Sequence, residues 1–281
     1  MAGPKRVLCI MDLSGVGRSS MAVVLPTLSA CGIQACALPT ALLSAHTGGF
    51  GEVAVLQADA YVEQALLHYQ QQNIHFDAVY VGYLQSEQQF DAAEKALRVF
   101  ADALCIVDPA MADNGKLYSR ITPQLAARMK TLCDLADVVT PNWTESAVLS
   151  GENMQEQKPD NAAVKNRIEA IAANKKSVLI TSVPAQNGEL QIAGYDAVKN
   201  DVFEILVKYV PQSYPGTGDL FAAALVGMLL YGSSLKKAAQ TAAEYVEIAA
   251  QITYNGHGEA RHGVWFEQAL PFLVQAAQTS V

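Results

Sequence analysis

Short apolar runs alternate along this chain with longer stretches whose apolar positions recur every three to four residues. The short runs predict strands at Val7–Met11, Ala35–Leu38, Ala78–Val81, Leu104–Val107, Val138–Thr140, Val178–Thr181, Leu190–Ala193 and Phe203–Val207. The longer stretches predict helices over about 19–31, 56–72, 87–102, 119–132, 144–150 and 161–174. After residue 219 the pattern is helical almost throughout, with helices over about 219–231, 234–253 and 265–278. Val178-Leu179-Ile180 is apolar at successive positions, as a strand covered on both faces must be. This alternation predicts an α/β fold of three layers, a mainly parallel central sheet flanked by helices on both sides. Leu190 to Val207 holds two strands with no helix between them and predicts an antiparallel hairpin at the sheet edge.

The chain has 281 residues, no internal repeat and no low-complexity linker; the polar stretch from Gln155 to Asp160 is short. One domain over residues 1–281 is expected. A composition 51% hydrophobic and 16% charged suffices for a sizeable core, and no run of 18 uninterrupted apolar residues suggests a membrane span. The opening Met1-Ala2-Gly3-Pro4-Lys5-Arg6 leads straight into the first strand, without a longer apolar region and cleavage site, so secretion is not expected. Cys9, Cys31, Cys36, Cys105 and Cys133 lack metal-ligand spacing and lie mostly in apolar runs, which fits reduced core thiols of a cytoplasmic protein. The net charge of −8 argues against a nucleic-acid surface. It leaves room for a nucleotide pocket, where backbone N–H groups and metal ions can hold phosphates.

Pro215-Gly216-Thr217-Gly218-Asp219 followed by the apolar Leu220-Phe221-Ala222-Ala223-Ala224 is the most informative segment. It reads as a tight loop opening a buried helix, whose first N–H groups and positive dipole end face whatever lies in front. Gly216 and Gly218 would let a ligand come close to the backbone. A carboxylate at such an anion site makes sense if Asp219 is a general base for a hydroxyl while the N–H groups hold a transferring phosphoryl group. The plainer alternative is that Asp219 only complements the helix dipole.

Ligands of open α/β sheets sit beyond the carboxyl ends of the strands. Asp12 and Ser14 follow the first predicted strand, Gly82-Tyr83 the third, Asp108 the fourth, Asn142 the fifth and Thr181-Ser182 the sixth. One site on one sheet edge is therefore expected. Asp108 and Asp113 lie on one loop, and with Glu145 they would suit a hard cation that also takes phosphate oxygens and water. Asp113 reads equally well as a turn residue beside Asn114-Gly115. The glycine turn Gly15-Val16-Gly17 does not complete a dinucleotide fingerprint, because Ser20 stands where a third glycine would, and Pro39-Thr40 replaces an acid after the next strand. NAD is not expected.

Five segments in order resemble the ribokinase-like kinases, the pyridoxal (vitamin B6) kinases above all, over roughly residues 6–265. They are Asp12 to Arg18, Ser44 to Gly49, Asp108 to Tyr118, Thr140 to Glu145, and Gly216 to Ala223. The resemblance implies ATP-dependent phosphorylation of the 5′-hydroxymethyl group of pyridoxal, pyridoxine or pyridoxamine, with Asp219 as base and Gly216, Thr217 and Gly218 as anion hole. It also implies that Ser14, or Asp12, faces the pyridine nitrogen, that Thr47 bonds the ring hydroxyl with His46 near the substrate, and that Tyr83 is the ring's stacking or edge partner. Asp108, Asp113, Tyr118, Asn142, Glu145, Thr181 and Ser182 would line the ATP site. Mg²⁺ would accompany ATP, and Asp108, Thr140 and Glu145 match the usual positions around a monovalent cation such as K⁺. A homodimer is implied as well. The alternatives are a hydroxymethylpyrimidine or hydroxymethylpyrimidine-phosphate kinase, and a catalytically silent vitamin- or nucleotide-binding relative. Three residues depart from the common pattern: Ala112 replaces a glycine, Trp143 is bulkier than usual, and Pro215 stands where some relatives carry a cysteine.

Overall fold

The computed structural model describes residues 3–154, 159–173, 176–185, 189–208 and 210–279. Its main sheet holds the strand β1 (Arg6–Ser14) third from one edge, flanked in parallel by β2 (Gln34–Leu43) and β4 (Ala78–Val81). Beyond β2 lies β3 (Val55–Gln57), and beyond β4 follow β5 (Leu104–Val107), β8 (Val138–Val139), β9 (Ser177–Pro184), β10 (Leu190–Asp196) and β11 (Asp201–Val207). The sheet is parallel from β2 to β9 and antiparallel at both ends, where β3 pairs with β2 and the β10–β11 hairpin pairs with β9. A separate two-stranded ribbon joins β6 (Ala112–Asp113) to β7 (Lys116–Leu117) through the left-handed pair Asn114 and Gly115.

Strand alternation builds two cores, one on each face. Val7, Cys9 and Met11 of β1, Ala78 and Tyr80 of β4 and Leu179 of β9 enter the first. Leu8, Ile10, Val79, Val81, Val178 and Ile180 enter the second. The first core is closed by α1 (Met21–Ala30), α7 (Thr217–Leu230), α8 (Leu235–Asn255) and α9 (Leu270–Thr279). The second is closed by α2 (Asp59–Gln71), α3 (Glu87–Val99), α4 (Pro123–Cys133), α5 (Trp143–Ser150) and α6 (Asn161–Ala172). Every residue of α7 from Leu220 to Met228 is buried, so its apolar circumference is explained by a place between sheet and α8.

The three-layer expectation and the edge hairpin hold. Some boundaries change. The helix expected over 56–72 begins only at Asp59, because Val55–Gln57 fills the open edge of β2 as a strand and satisfies its backbone groups. The helix expected over 119–132 begins at Pro123, with the Thr122 hydroxyl accepting from the Leu125 N–H at 3.2 Å. The segment expected as one helix over 265–278 is a 3-10 turn at Phe266–Gln268 followed by α9, whose second residue is Pro271. Proline has no N–H to continue a preceding helix and suits a first turn. Residues 155–158 of the polar stretch, and the last residue of the helix expected over 161–174, lie outside the described residues.

Candidate active site

Gly216 caps α7 in a left-handed conformation at φ 81°. A side chain could not replace its hydrogen, because a Cβ there would lie 1.9 Å from the carbonyl oxygen of Arg18. Leu220 N–H donates to the Gly216 carbonyl at 3.0 Å and closes the first turn. The N–H groups of Thr217, Gly218 and Asp219 precede that bond and have no intrahelical acceptor. Thr217 Oγ1 donates to the Tyr214 carbonyl at 3.1 Å, which turns its hydroxyl back into the loop. Gly218 is exposed, and a Cβ there would meet nothing nearer than Asp108 Oδ2 at 3.9 Å. The fold itself therefore leaves room for a side chain at this position.

Asp219 sits in that first turn with Oδ2 accepting from the Ser20 backbone N–H at 2.8 Å. Burial pushes its carboxyl up to about 7, with the Ser20 N–H pulling the other way and the Asp12 charge adding to the rise. Asp108, at the end of β5, is pushed up to about 8, first by burial and then by the neighbouring Asp219. The buried hydroxyls of Tyr80 and Thr140 stand beside Asp108 and oppose the rise. Neither hydroxyl reaches full hydrogen-bonding geometry with a protein partner. Two neighbouring carboxyls raised toward neutrality, one at a helix start and one at a strand end, can hold or release a proton at physiological pH.

Glu145 is placed differently. It closes a capping box at the start of α5: Asn142 Oδ1 accepts from the Glu145 N–H at 2.9 Å, and Glu145 Oε2 accepts from the Asn142 N–H at 2.8 Å. Glu145 Oε1 accepts from the N–H groups of Met111 (3.1 Å) and Ala112 (3.4 Å). Burial and the Asp108 charge raise its pKa well above the usual carboxylate range, against those N–H groups. Ala112 therefore belongs to the Glu145 cradle, and its carbonyl accepts from Asn142 Nδ2 at 2.8 Å. Trp143 is accommodated by turning into the second core, where the Arg167 guanidinium lies 3.5 Å from its ring centroid.

A cavity of about 570 Å³ brings together Asp108, Asp113, Tyr118, Thr140, Asn142, Glu145, Thr181, Ser182 and the whole run from Pro215 to Asp219. Its far wall is apolar, formed by Ile192 and Val207 of the edge hairpin and by Phe221, Ala243, Val246 and Ala250. Thr181 and Ser182 lie within β9 and not after it, and Ser182 takes a left-handed φ of 55° at the cavity wall. Asp113 is exposed and accepts from the Asn114 N–H and side-chain amide, both at 2.9 Å. Among the described residues no three acidic, histidine or cysteine side chains converge closely enough to hold a metal by themselves.

Asp12, Ser14, His46, Thr47 and Tyr83 do not line that cavity. Asp12 and Ser14 close the end of β1, with Ser14 Oγ donating to Asp12 Oδ2 at 3.2 Å. Burial raises the Asp12 pKa, against hydrogen bonds from Ser20 and Ser14 and against the nearby His46. Burial and then the charge of Asp12 push the Tyr83 hydroxyl up to about 12. These residues gather around Asp12, whose charge also reaches Asp219. Thr47 is exposed in the glycine-rich loop. His46 is buried with both ring nitrogens engaged: Nε2 donates to the Arg261 carbonyl at 2.6 Å, and Nδ1 accepts from the Gly48 N–H at 3.0 Å.

Sequence reasoning missed Ser20, Tyr80, Arg18 and the turn at residues 260–263. Ser20 and Arg18 meet the Gly216–Asp219 motif through backbone atoms, which carry no residue-type signal. Tyr80 hides in an apolar strand, Ala78–Val81, where a tyrosine reads as core.

The fold is shared with other chains. A family model described as phosphomethylpyrimidine kinase matches residues 22–263. An Arabidopsis thaliana pyridoxal kinase is 29% identical over 197 residues, 66% of this chain and 62% of that protein, so the chain matches less than two thirds of that relative's length. A Bordetella avium pyridoxine/pyridoxal/pyridoxamine kinase is 29% identical over 245 residues, 82% of this chain and 79% of that protein. A Bacteroides thetaiotaomicron protein described as a candidate phosphomethylpyrimidine kinase, crystallised with pyridoxal, superposes with a TM-score of 0.91 at 32% identity, covering 96% of each chain.

Proposed function

The chain belongs to the phosphomethylpyrimidine kinase family, within the ribokinase-like superfamily, and we propose that it transfers the γ-phosphoryl group of ATP to the 5′-hydroxymethyl group of a B6 vitamer. One observation carries this reading. A half-buried carboxylate, Asp219, stands in the first turn of α7 beside N–H groups that have no intrahelical acceptor, with one oxygen held by Ser20. That arrangement removes a proton and receives negative charge at adjacent points, as phosphoryl transfer to an alcohol requires.

ATP would lie in the cavity with its base against the apolar wall of Ile192, Val207, Val246 and Ala250, and its phosphates toward Thr217 and Gly218. Asp219 would take the hydroxyl proton as that oxygen attacks the γ-phosphorus. The amides at the start of α7 would accept the charge spread over the phosphoryl oxygens. Little covalent chemistry falls to the protein, and positioning supplies most of the rate.

Mg²⁺ fits the donor set as a cation held chiefly by phosphate and water: Asp108 is a buried carboxylate beside Asp219, and the Thr140 hydroxyl lacks a protein partner in hydrogen-bonding geometry. When bound beside Asp108 and Thr140 it would supply positive charge that offsets the charge of the phosphates. A monovalent cation such as K⁺ would use Asp108 and Thr140 in the same region. Glu145 would act there through the Met111–Ala112 backbone that it holds.

The vitamer would enter on the other side of Asp219, among Asp12, Ser14, Thr47 and Tyr83. Ser14 already donates its proton to Asp12, so its oxygen is an acceptor for a protonated ring nitrogen. A pyrimidine alcohol is the second reading, favoured by the family's description and by the name of the Bacteroides relative. Purified protein assayed with ATP against pyridoxal, pyridoxine, pyridoxamine and hydroxymethylpyrimidine tests both. Higher kcat/KM on the pyrimidine than on every vitamer would replace the first reading by the second. ATP turnover unaffected by any of the four would remove both.

A further inference from the structure

Ser20 ends the glycine turn that follows β1 and begins α1, and it is 6% exposed. Its backbone takes φ 49° and ψ −135°, a region that side chains rarely occupy. That conformation has a direct consequence: the Ser20 N–H points away from its own helix and donates to Asp219 Oδ2 at 2.8 Å, across 199 residues of sequence. The Ser20 carbonyl meanwhile accepts from the Val23 and Val24 N–H groups, each at 3.1 Å, so the residue is fixed from its other end. Two residues earlier, the Arg18 carbonyl lies where a Cβ on Gly216 would be. The Arg18 N–H donates to the His262 carbonyl at 3.2 Å, and its guanidinium pairs with Glu267 at 2.8 Å. The turn from Arg18 to Ser20 is thus clamped by the 260–267 segment and pressed against both ends of the Gly216–Asp219 motif.

We propose that Ser20 is a positioning residue, whose left-handed backbone aims one N–H at Asp219 Oδ2 and so leaves Oδ1 as the oxygen that meets the substrate hydroxyl. The strained conformation is the device. A relaxed residue at position 20 would turn the N–H elsewhere, and the Asp219 carboxylate would lose the donor that fixes its rotamer. The inference rests on the reading of Asp219 as base. It adds that the base is oriented by the backbone of a different element, the turn after β1, and not by a neighbouring side chain.

The test is a double-mutant cycle. Ser20→Val places a β-branch where φ must be positive and so drives the backbone out of this region. With ATP and the best B6 vitamer, it should lower kcat by at least thirtyfold, with both KM values within about threefold. Ser20→Gly keeps the N–H and tolerates the conformation, and it should hold kcat within about threefold of the starting protein. In the Asp219→Ala background, where the N–H has no carboxylate to orient, Ser20→Val should cost less than twofold. An equal cost in both backgrounds, or a Ser20→Gly loss as large as that of Ser20→Val, overturns the proposal. The parent, Ser20→Val, Asp219→Ala and the double variant are also melted at pH 8 without substrate. Ser20→Val should lower Tm by clearly more in the Asp219 protein than in the Asp219→Ala background, and equal drops overturn the proposal. This arm needs no turnover, so a protein that phosphorylates no vitamer would refute the functional reading while leaving the Ser20–Asp219 link decided. If Ser20→Val does not fold, Ser20→Thr carries the same β-branch with the hydroxyl retained and takes its place in the cycle.

Discussion

A methyl group on Gly216 would lie 1.9 Å from the Arg18 carbonyl oxygen, and Gly216 also holds φ at 81°. Gly218, two residues on, has a helical backbone and open space, with Asp108 Oδ2 at 3.9 Å as the nearest neighbour of a Cβ. The two glycines of one motif are therefore glycine for different reasons. Gly216→Ala should destabilise the free protein by at least about 2 kcal/mol, from the left-handed strain and the backbone clash together. Gly218→Ala should leave Tm unchanged or slightly raised, since the chain loses flexibility without meeting a clash. If a phosphoryl group occupies the open space, that same methyl should lower kcat by on the order of a hundredfold. Paired melting curves and turnover on the two variants check this. Unchanged turnover in Gly218→Ala would mean that no ligand approaches there.

Asp219→Asn should lower kcat by roughly two to four orders of magnitude and leave ATP affinity nearly intact, as loss of a general base does. Retention of more than about a tenth of turnover would return Asp219 to the role of dipole complement.

The pH dependence has a definite sign. Asp219 is raised to about 7 and Asp108 to about 8, both chiefly by burial, so the folded protein favours their protonated forms. Their contribution to stability is present in full below the unfolded carboxylate range and is lost as pH rises through about 7 to 8. Asp219→Asn removes that loss, so its Tm should exceed that of the parent above pH 7 and converge with it near pH 4. For the same reason kcat/KM should fall as pH drops below about 7, where the free enzyme's base becomes protonated. A parent protein whose Tm gains on the Asp219→Asn variant as pH rises would contradict the burial argument.

The layered fold was readable because strand and helix periods differ and because the strands alternate between two cores. Val7, Cys9 and Met11 serve one face, and Leu8 and Ile10 the other. β3 was missed because three residues, one of them the 64%-exposed Leu56, offer no period to read. The candidate site was readable where a side chain marks a strand end or a helix start, as with Asp108 after β5 and Asp219 in the first turn of α7. It was not readable where backbone atoms do, as with Ser20 N–H, the Arg18 carbonyl and the Arg261 carbonyl that receives His46.

Thr47→Val and Ser14→Ala should act on the vitamer and leave the phosphoryl site alone, each by on the order of 1–2 kcal/mol, expressed mainly in vitamer KM. Ser14→Ala also removes a donor from the buried Asp12, so its effect should be the larger of the two. Steady-state kinetics with either substrate varied will separate the terms. A tenfold fall in kcat at unchanged KM for either variant would call for a different pose.

His46 is the last case, and its geometry makes a specific demand. Its Nε2 donates to the Arg261 carbonyl at 2.6 Å and its Nδ1 accepts from Gly48, so neither nitrogen is left to bond a ligand in this arrangement. The ring also covers Gly17, where a Cβ would lie 2.2 Å from His46 Cδ2, and meets Phe50 edge-on with centroids 5.0 Å apart. Phe50 in turn touches His262 at 5.1 Å and lies under the Arg261 guanidinium at 5.5 Å. The imidazole is thus the pin between the loop that carries Thr47 and the 260–263 turn. His46→Ala should free that loop without touching Asp219: vitamer KM should rise about tenfold or more, kcat should stay within about threefold, and ATP KM should not move. Amide hydrogen exchange without substrate gives the independent measure, because residues 44–51 should exchange faster in the variant while β1 and α7 stay protected. A loop whose exchange is unaltered in His46→Ala would show that the pin is redundant, and a rise in vitamer KM would then have to come from lost contact between the imidazole and the vitamer itself.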